Sequence, residues 1–411
     1  MKSDLDALMQ ANGLDAILVT GPAQHNPMMT YFTGLIHLSQ GELIKPRGRG
    51  AKLFYGPMER DEAASTGLDT KNLFDYPFKE LLKETGGDRI KALALRFKRM
   101  FTDAGVTQGR VALYGTSDVG ASYAIFNALQ DLVPELELVG ELEDSVLLDA
   151  MATKDEAEAE EMRKISRINM EVVGEVQDFL ASHRVKDDIL VKADGQPLQI
   201  AEVKACINLW LAERGAENPH GTIFAIGRDA GVPHSAGTPT DVLKLGETIV
   251  FDIYPAQQGG GYHSDFTRTW CLGYAPDEAL ALYEDVWAVF QEVMAALKAG
   301  EDCPQYQDLT CELFEARGHA TIGQDMNIQE GYVHSIGHGL GLFVHERPWF
   351  RKQGDSADKL DPGVVVTIEP GLYYPSKNLG CRIEDAVYVT PAGEMEILTK
   401  YPYDLVVPVK S

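Results

Sequence analysis

FDIYPAQQGGGYHSDFTRTW, residues 251–270, is the stretch that decides the fold of the second half of the 411-residue chain. Two apolar runs flank a glycine-rich turn, which is typical of a β-hairpin. Each run carries one aspartate, Asp252 or Asp265, where the alternation of a strand points it inward. A hairpin centred between Gln258 and Gly259 places the two aspartates directly opposite each other, with Cβ atoms about 5 Å apart.

A second hairpin is predicted in residues 364–389, where VVVTIEPGLYY and CRIEDAVYV are joined by PSKNLG. A centre near Ser376 and Lys377 places Glu369 opposite Glu384. Alternation along the strand also puts Arg382 on the face of Glu384. Two hairpins that each present a pair of carboxylates indicate a duplicated half-domain that closes around one site.

The four carboxylates need a cationic partner, because isolated charges among apolar neighbours are too costly to bury. Their combined charge of -4 is balanced by two divalent cations, so the sequence predicts a two-metal hydrolytic centre. The alternative, ordinary surface acids on half-exposed strands, fits any one of them alone. It is disfavoured for four acids that all lie in apolar runs.

HSIGHGLGLFVHERP, residues 334–348, supplies the histidines. His334 and His338 have the spacing of a helical zinc motif, but Gly337 and Gly339 make a helix improbable. In an extended or looped segment, His338 can reach the metals while His334 and His345 line the cleft. Nucleotide binding by these glycines is disfavoured, because no helix follows them and no Walker lysine is present. Three further histidines receive no role: His220, His263 and His319.

Composition limits the remaining classes of protein. The length and the 45% hydrophobic content favour two domains. No apolar run of about 18 residues occurs, and the N-terminus alternates charge with hydrophobe, so membrane spanning and secretion are not expected. Five cysteines without a CxxC pair indicate reduced thiols in the cytoplasm. The net charge of -25 disfavours binding to nucleic acid or anionic lipid.

The boundary between the two domains is predicted near residue 150. Residues 1–150 alternate helical and strand patterns, which indicates a compact α/β domain. Residues 152–182 predict one long helix that is acidic at its start, where the helix dipole favours negative charge. A short basic cluster at residues 45–50 is predicted to form a solvated loop.

Five segments in this order resemble the prolidase, aminopeptidase P and creatinase family of metallopeptidases: GVPHSAG (231–237), FDIYP with SDFTRTW, HSIGHGLGLFVHERP, VVVTIEPGLYY and CRIEDAVYVT. The resemblance begins near residue 153. It implies an α/β (α+β) protein, with a pita-bread catalytic domain of two pseudo-twofold halves at residues 151–411. Residues 1–150 resemble the smaller creatinase-type accessory domain. Methionine aminopeptidases lack that domain, so its presence favours Xaa-Pro substrates.

The resemblance implies a set of five metal ligands: Asp252, Asp265, His338, Glu369 and Glu384. Asp265 and Glu384 are expected to bridge both ions, Asp252 to serve one, and His338 and Glu369 the other. Four neighbouring residues match positions implied in substrate binding and transition-state stabilisation: His234, His334, His345 and Arg382. Cys381 and Asp385 flank the last motif and are predicted to be a strand-packing residue and an exposed acid.

The implied activity is that of a dinuclear Xaa-Pro peptidase, a dipeptidase or an aminopeptidase P, which cleaves the bond before proline with a dimetal-bridged hydroxide. Glu369 is the expected proton acceptor and later the donor to the leaving nitrogen. Donors that are mostly oxygen favour manganese, with cobalt or zinc as alternatives. Small proline-containing peptides and a second copy of the chain, forming a homodimer, are the expected partners.

Two departures from the family pattern affect the pocket. Tyr254 stands where the family more often has a small residue, and the loop between Asp252 and Asp265 is two residues longer than usual. A metal-dependent hydrolase of another small zwitterion on the same fold therefore remains an alternative. A non-catalytic interaction protein is the alternative from a different class.

Overall fold

In the computed structural model of the chain, residues 4–142, 145–352 and 357–410 are described. The chain divides into two compact units, one of Met1–Met151 with Gly259–Gly261 and one of Ala152–Gln258 with Tyr262–Ser411. Within the described ranges, no helix is both long and apolar enough to cross a lipid bilayer.

The first unit is built on a six-stranded mixed sheet. Its strands are β1 (Ala16–Gly21), β2 (Gly41–Pro46), β3 (Lys52–Tyr55), β4 (Asp69–Asn72), β5 (Gly109–Gly115) and β6 (Leu136–Val139), and its helices are α1 (Leu5–Ala11), α2 (Pro27–Thr33), α3 (Arg60–Ser65), α4 (Phe78–Glu84), α5 (Arg89–Asp103), α6 (Val119–Leu132) and α7 (Val146–Ala152). The strand order is β4-β3-β2-β1-β5-β6.

Strand β1 shows why both faces of this sheet are covered. Ile17 and Val19 belong to one buried apolar cluster, whereas Ala16 and Leu18 belong to another. Because side chains alternate along a strand, a run that is apolar at every position must pack on both faces.

The predicted solvated loop at residues 45–50 is wrong for Lys45. This residue lies in β2, its side chain is buried, and its amine forms an ion pair with Asp6 and donates to the Pro46 carbonyl. The arginines that follow, Arg47 and Arg49, are exposed. The strand therefore extends further into the basic cluster than its charges suggested.

The second unit contains the predicted hairpins. Its helices are α8 (Glu156–Ser182), α9 (Ile200–Glu213), α10 (Asp277–Ala296) and α11 (Pro304–Ala316), and its strands are β7 (Arg184–Lys186), β8 (Ile189–Val191), β9 (Ala216–Glu217), β10 (Thr222–Ile226), β11 (Thr248–Ile253), β12 (Ala256–Gln257), β13 (Phe266–Leu272), β14 (His338–Gly339), β15 (Glu346–Trp349), β16 (Val365–Ile368), β17 (Gly371–Tyr374), β18 (Leu379–Arg382), β19 (Asp385–Val389), β20 (Met395–Ile397) and β21 (Val406–Val407).

Helix α8 begins four residues later than the predicted start at residue 152. Asp155 is its N-cap and forms a capping box with Glu158: each side chain accepts a hydrogen bond from the other residue's backbone N–H, at 3.0 and 2.8 Å. These bonds satisfy two donors that a helix start leaves unpaired. The acidic residues at the start of the pattern therefore mark the cap as well as the first turn.

The second unit consists of two halves of similar design. In one half the sheet β10-β11-β13-β21 shares an apolar cluster with α8 and α9, which includes Val172, Ile207 and Phe251. In the other half the sheet β15-β14-β16-β19-β20 shares a cluster with α10 and α11, which includes Val286 and Val366. Each half thus buries one face of its sheet under a pair of helices, and the predicted carboxylates lie on strands of both sheets or next to them.

Candidate metal centre

The first hairpin has a different register from the predicted one. Asp252 on β11 pairs with Thr267 on β13, so Asp265 lies two residues before the position opposite Asp252. The turn is centred on Gly259 and Gly260, whose φ angles of 94° and 81° suit the positive-φ conformation that glycine adopts without strain. The predicted direct pairing is therefore wrong, although two-residue spacing keeps Asp265 on the same face as Asp252.

The second hairpin has the predicted register. Ile368 pairs with Asp385 on one side of the site, and Gly371 pairs with Arg382 on the other. These two pairs belong to one continuous register, in which Glu369 is level with Glu384. The predicted pairing of the two glutamates is confirmed at the level of the backbone.

Strand β14 brings His338 between two neighbouring strands, β15 and β16. A Cβ atom on Gly337 would lie 1.9 Å from the Thr367 carbonyl oxygen, and one on Gly339 would lie 2.1 Å from the Arg347 carbonyl oxygen. Only glycine fits at such distances from a rigid backbone. The glycines on either side of His338 therefore allow this short strand to insert, rather than marking a phosphate-binding loop.

One cavity of about 930 Å³ collects the predicted site residues. All five predicted ligands line it, together with His234, His334, His345 and Arg382. Tyr254 also lines it and is half-buried, so the residue that departs from the family pattern does form part of the pocket wall. The volume is within the range of small-molecule binding sites.

Arg382 is fixed by hydrogen bonds from both halves of the second unit. Its guanidinium donates to Asp252 Oδ2 at 2.7 Å, to Thr267 Oγ1 at 3.1 Å and to the Pro233 carbonyl at 3.2 Å. It also donates to the Tyr373 hydroxyl at 2.7 Å. A guanidinium has five N–H groups, so these four acceptors leave one donor uncommitted.

Tyr373 is a site residue that sequence reasoning missed. It is fully buried, and its hydroxyl lies 2.8 Å from His334 Nε2 as well as accepting from Arg382. The signal that could have found it is the register, because Tyr373 lies two residues beyond Gly371, the partner of Arg382. The tyrosine links the orientations of His334 and Arg382.

Asp385 was predicted wrongly to be an exposed acid. It is completely buried and pairs with Arg268 at 2.9 Å, whose side chain is also buried. Arg268 in turn donates to the Glu384 carbonyl at 2.7 Å. The Glu384 carboxylate accepts from Thr267 Oγ1 at 2.7 Å. A buried ion pair therefore anchors the backbone of one predicted ligand, which an exposed acid could not do.

The carboxylate cluster has the properties of a metal site. Single ligand atoms of Asp265, His338 and Glu384 lie within 4.8 Å of one another. His338 Nε2 is 3.7 Å from Asp265 Oδ2 and 3.6 Å from Glu369 Oε1. Asp252 Oδ1 and Asp265 Oδ1 are buried without a hydrogen-bond partner. Such oxygens are costly unless something cationic meets them, so the residues present fit divalent cations.

Burial and mutual repulsion shift the pKa values of these groups. Burial raises the pKa of Asp265 well above its usual range, and the nearby Glu384 raises it further. The pKa of Glu384 is raised by burial and by Glu369, and burial raises that of Glu369 to about 8. Burial lowers the pKa values of His334 and His338 to about 3. A metal ion binds to neutral imidazole, which the lowered histidine pKa values favour. A bound cation also relieves the repulsion between the carboxylates that raises their pKa values.

We expect the metal-free chain to lose stability as the pH rises from about 6.5 to about 8.5. Because the pKa values of Asp265, Glu369 and Glu384 are raised, the folded state holds protons that the unfolded state has released, and unfolding is favoured at higher pH. His334 and His338 affect the pH dependence of stability only below about pH 6.5, because there their imidazoles take up protons in the unfolded state while they remain neutral in the folded state. Thermal unfolding after EDTA treatment measures the effect.

Manganese provides the control for this prediction. Metal binding requires deprotonated ligands, so adding Mn²⁺ should remove the loss of melting temperature across the same pH interval. A melting temperature of the metal-free chain that stays constant or rises over that interval would contradict the raised carboxylate pKa values.

A buried set of carboxylates with one imidazole, at the wall of a substrate-sized cavity, is typical of a metal-dependent hydrolase. The family comparison agrees with this class. The model of metallopeptidase family M24 matches residues 160–391, and the chain belongs to that family. The resemblance found in the sequence motifs is confirmed.

Individual relatives extend over both units. The chain is 25% identical to the Xaa-Pro dipeptidase of Pyrococcus furiosus over 412 aligned residues, which cover 98% of the chain and 100% of the relative. It is 29% identical to the probable dipeptidase PepE of Mycobacterium tuberculosis over 292 residues, 69% of the chain and 70% of the relative.

A solved structure supports the fold. The dipeptidase of Pyrococcus horikoshii OT3 superposes with a TM-score of 0.73 at 22% identity, covering 98% of each chain. The predicted mixed α/β architecture, with a pita-bread catalytic domain, is therefore confirmed.

Proposed function

We propose that the chain is a dinuclear metallopeptidase that hydrolyses the bond before proline in small peptides. The observation that carries the proposal is the convergence of four carboxylates and His338 on one cavity, with buried oxygens of Asp252 and Asp265 lacking partners. Similarity over nearly the whole length to an Xaa-Pro dipeptidase supports the choice of substrate.

The proposed ligands fall into two groups. The family resemblance implies that Asp265 and Glu384 would hold both cations, and both residues are buried with ligand atoms close to that of His338. Asp252 would hold one cation, and His338 and Glu369, 3.6 Å apart at their nearest ligand atoms, would hold the other. The donor set is rich in oxygen with a single imidazole, which supports manganese over a metal that prefers thiolate.

Two divalent cations, when bound, supply positive charge that polarises a peptide carbonyl and lowers the pKa of water. Glu369 is the proposed proton acceptor during attack and the donor to the leaving proline nitrogen. It lines the cavity, and its Oε1 atom lies 3.6 Å from His338 Nε2, so a carboxylate that can accept and return a proton stands beside the cations. A secondary amine must be protonated as it leaves, so this donation is needed for turnover.

The flanking residues orient the substrate. His345 packs edge-on against His338 with ring centroids 4.2 Å apart, and His345 or His234 donates a hydrogen bond to the carbonyl oxygen in the transition state. The uncommitted N–H of Arg382 holds the polar end of the substrate, and the ring of His334, which lines the cavity, contacts the same end. The Tyr373 hydroxyl, which contacts both, keeps them in place.

Further properties are proposed from the composition and the family resemblance. Residues 1–150 act as an accessory domain, and residues 151–411 form the catalytic domain. All five cysteines are free thiols, which supports a cytoplasmic protein. A homodimer is proposed from the family resemblance alone. Hydrolysis of another small zwitterion is the second candidate function, because Tyr254 lines the cavity at a position where the family more often has a small residue.

Peptide cleavage by the manganese-loaded chain tests the proposal. We expect free proline to be released from Leu-Pro, whereas Leu-Ala is left intact and EDTA-treated enzyme is inactive. Cleavage of Leu-Pro with little action on Leu-Pro-Gly identifies a dipeptidase, and release of leucine from the tripeptide identifies an aminopeptidase. If neither peptide is cleaved, the Xaa-Pro proposal is rejected.

A further inference from the structure

One wall of the cavity is polar and is formed outside the carboxylate cluster. It consists of Lys204 and Asn208 on α9, Asn218 and His220 between β9 and β10, and Thr222 at the start of β10, and it is called the polar wall below. Lys204 and Asn208 are four residues apart on a helix, so they share one face. None of these residues belongs to the proposed ligand set.

Strand register gives the position of the start of β10 relative to Asp252. Ile223 on β10 is opposite Asp252 on β11, and Thr222 is opposite Ile253. Continuing this register puts Gly221 level with Tyr254, two residues beyond Asp252. Two residues of a strand span about 7 Å. The start of β10, which carries Thr222 of the polar wall, therefore lies within about 7 Å of Asp252 along the strand direction.

Hydrogen bonds within the polar wall leave donors directed at a ligand. Asn218 Nδ2 donates to Asn208 Oδ1 at 3.0 Å and to Thr222 Oγ1 at 2.8 Å. Because its oxygen is engaged, Asn208 has its Nδ2 group available as a donor. Asn218 Oδ1 is buried without a hydrogen-bond partner, which suits the ammonium group at the start of a peptide.

A buried imidazole adds a second unsatisfied group beside this wall. His263 is only 5% exposed, and neither of its ring nitrogens has a hydrogen-bond partner. Its ring stacks on that of His220, with centroids 6.0 Å apart. His220 lines the cavity and is exposed, whereas His263 lies behind it, so His220 is the ring of the two that a ligand in the cavity can reach.

Lys204 gives the polar wall its charge. Its amine donates to the Ala236 carbonyl, and among the described residues no carboxylate lies within ion-pair distance of it. Two divalent cations balance the four carboxylates, Asp252 included, so the positive charges of Arg382 and Lys204 both remain without a counterion in the cavity. An anionic group is therefore favoured there.

We propose that the polar wall binds an acidic side chain on the residue before proline, so that the enzyme prefers Glu-Pro and Asp-Pro peptides. Lys204 and Asn208 donate to the carboxylate, and Asn218 accepts from the ammonium group of the same residue. The inference rests on the proposed function and adds a substrate class to it.

The test compares Glu-Pro with Gln-Pro, which differ in charge and little in shape. The wild-type chain should favour Glu-Pro in kcat/KM, and Lys204→Met should lower the ratio of the two values by about 10- to 100-fold. Lys204→Arg should retain the preference. Lys298→Met, a change at a lysine that is 76% exposed and outside the cavity, is the matched control and should leave the ratio unchanged.

Calorimetry separates failure of this inference from failure of the proposed function. If no Xaa-Pro peptide is cleaved, the peptidase proposal fails, and titration of the manganese-loaded chain with L-glutamate and L-glutamine still tests the polar wall. Tighter binding of glutamate that is lost in Lys204→Met supports it. An unchanged ratio of the two kcat/KM values in Lys204→Met overturns the inference. This includes the case in which both peptides are slowed equally because Lys204 contacts the proline carboxylate. Equal binding of the two amino acids also overturns it.

Discussion

Asp265→Asn is expected to lower kcat/KM for Xaa-Pro hydrolysis by at least about 10³-fold, because loss of a charged ligand removes several kcal/mol of transition-state stabilisation. Asp265 is 3% exposed, its Oδ1 atom has no hydrogen-bond partner, and its other oxygen lies 3.7 Å from His338. The amide is neutral and offers one oxygen, so it cannot contact two cations as proposed for the carboxylate. Steady-state kinetics on Leu-Pro measures the effect.

The same substitution should not unfold the protein. Burial and Glu384 raise the pKa of Asp265, so a neutral amide relieves repulsion in the metal-free state. The metal-free melting temperature of Asp265→Asn should therefore equal or exceed that of the wild type. Asp308→Asn, at an exposed position of α11, makes the same chemical change outside the cavity and should leave kinetics unaltered. Retained turnover in Asp265→Asn would contradict the proposal that Asp265 contacts both cations.

Asp385→Ala is expected to destabilise the folded chain by about 3–5 kcal/mol, since it leaves a buried guanidinium without its counterion. Arg268 and Asp385 both have side chains that are at most 1% exposed. Asp385 also accepts from Thr399 Oγ1 at 3.0 Å and from the Tyr403 hydroxyl, which lose their acceptor in the variant. Urea unfolding followed by circular dichroism gives the change in the free energy of unfolding.

A half-exposed ion pair provides the comparison. Glu292 pairs with Arg317 at 2.6 Å, and their side chains are 49% and 24% exposed. Glu292→Ala should cost no more than about 1 kcal/mol, because solvent screens such a pair. If Asp385→Ala were no more costly than Glu292→Ala, the buried pair would not be what anchors the backbone at Glu384.

The carboxylate pairing shows how far local patterns predict this site. The hairpin that carries Glu369 and Glu384 has one turn centre compatible with its loop, and its predicted register is that of the structure. The other hairpin contains three consecutive glycines, so its turn can be centred at several positions. Its predicted register differs from that of the structure by two residues. The preference of a glycine pair for positive φ angles at the centre of a turn was the signal that could have corrected it.

Contacts between the two halves of the second unit could not be predicted in this way. Arg382 and Asp252 are 130 residues apart in the chain, and Arg268 and Asp385 are 117 apart. Strand periodicity indicates which face a side chain occupies, but it does not say which distant side chain faces it. For that reason Asp385 was predicted to be exposed, and Tyr373 was missed.

Metal stoichiometry tests the central claim most directly. That claim is a dinuclear centre built by Asp252, Asp265, His338, Glu369 and Glu384. After reconstitution with Mn²⁺ and gel filtration, mass spectrometry of the metal content should find about two equivalents per wild-type chain and fewer than about one in Asp265→Asn. The Asp308→Asn control should match the wild type. Fewer than about one equivalent in the wild-type chain would contradict the account.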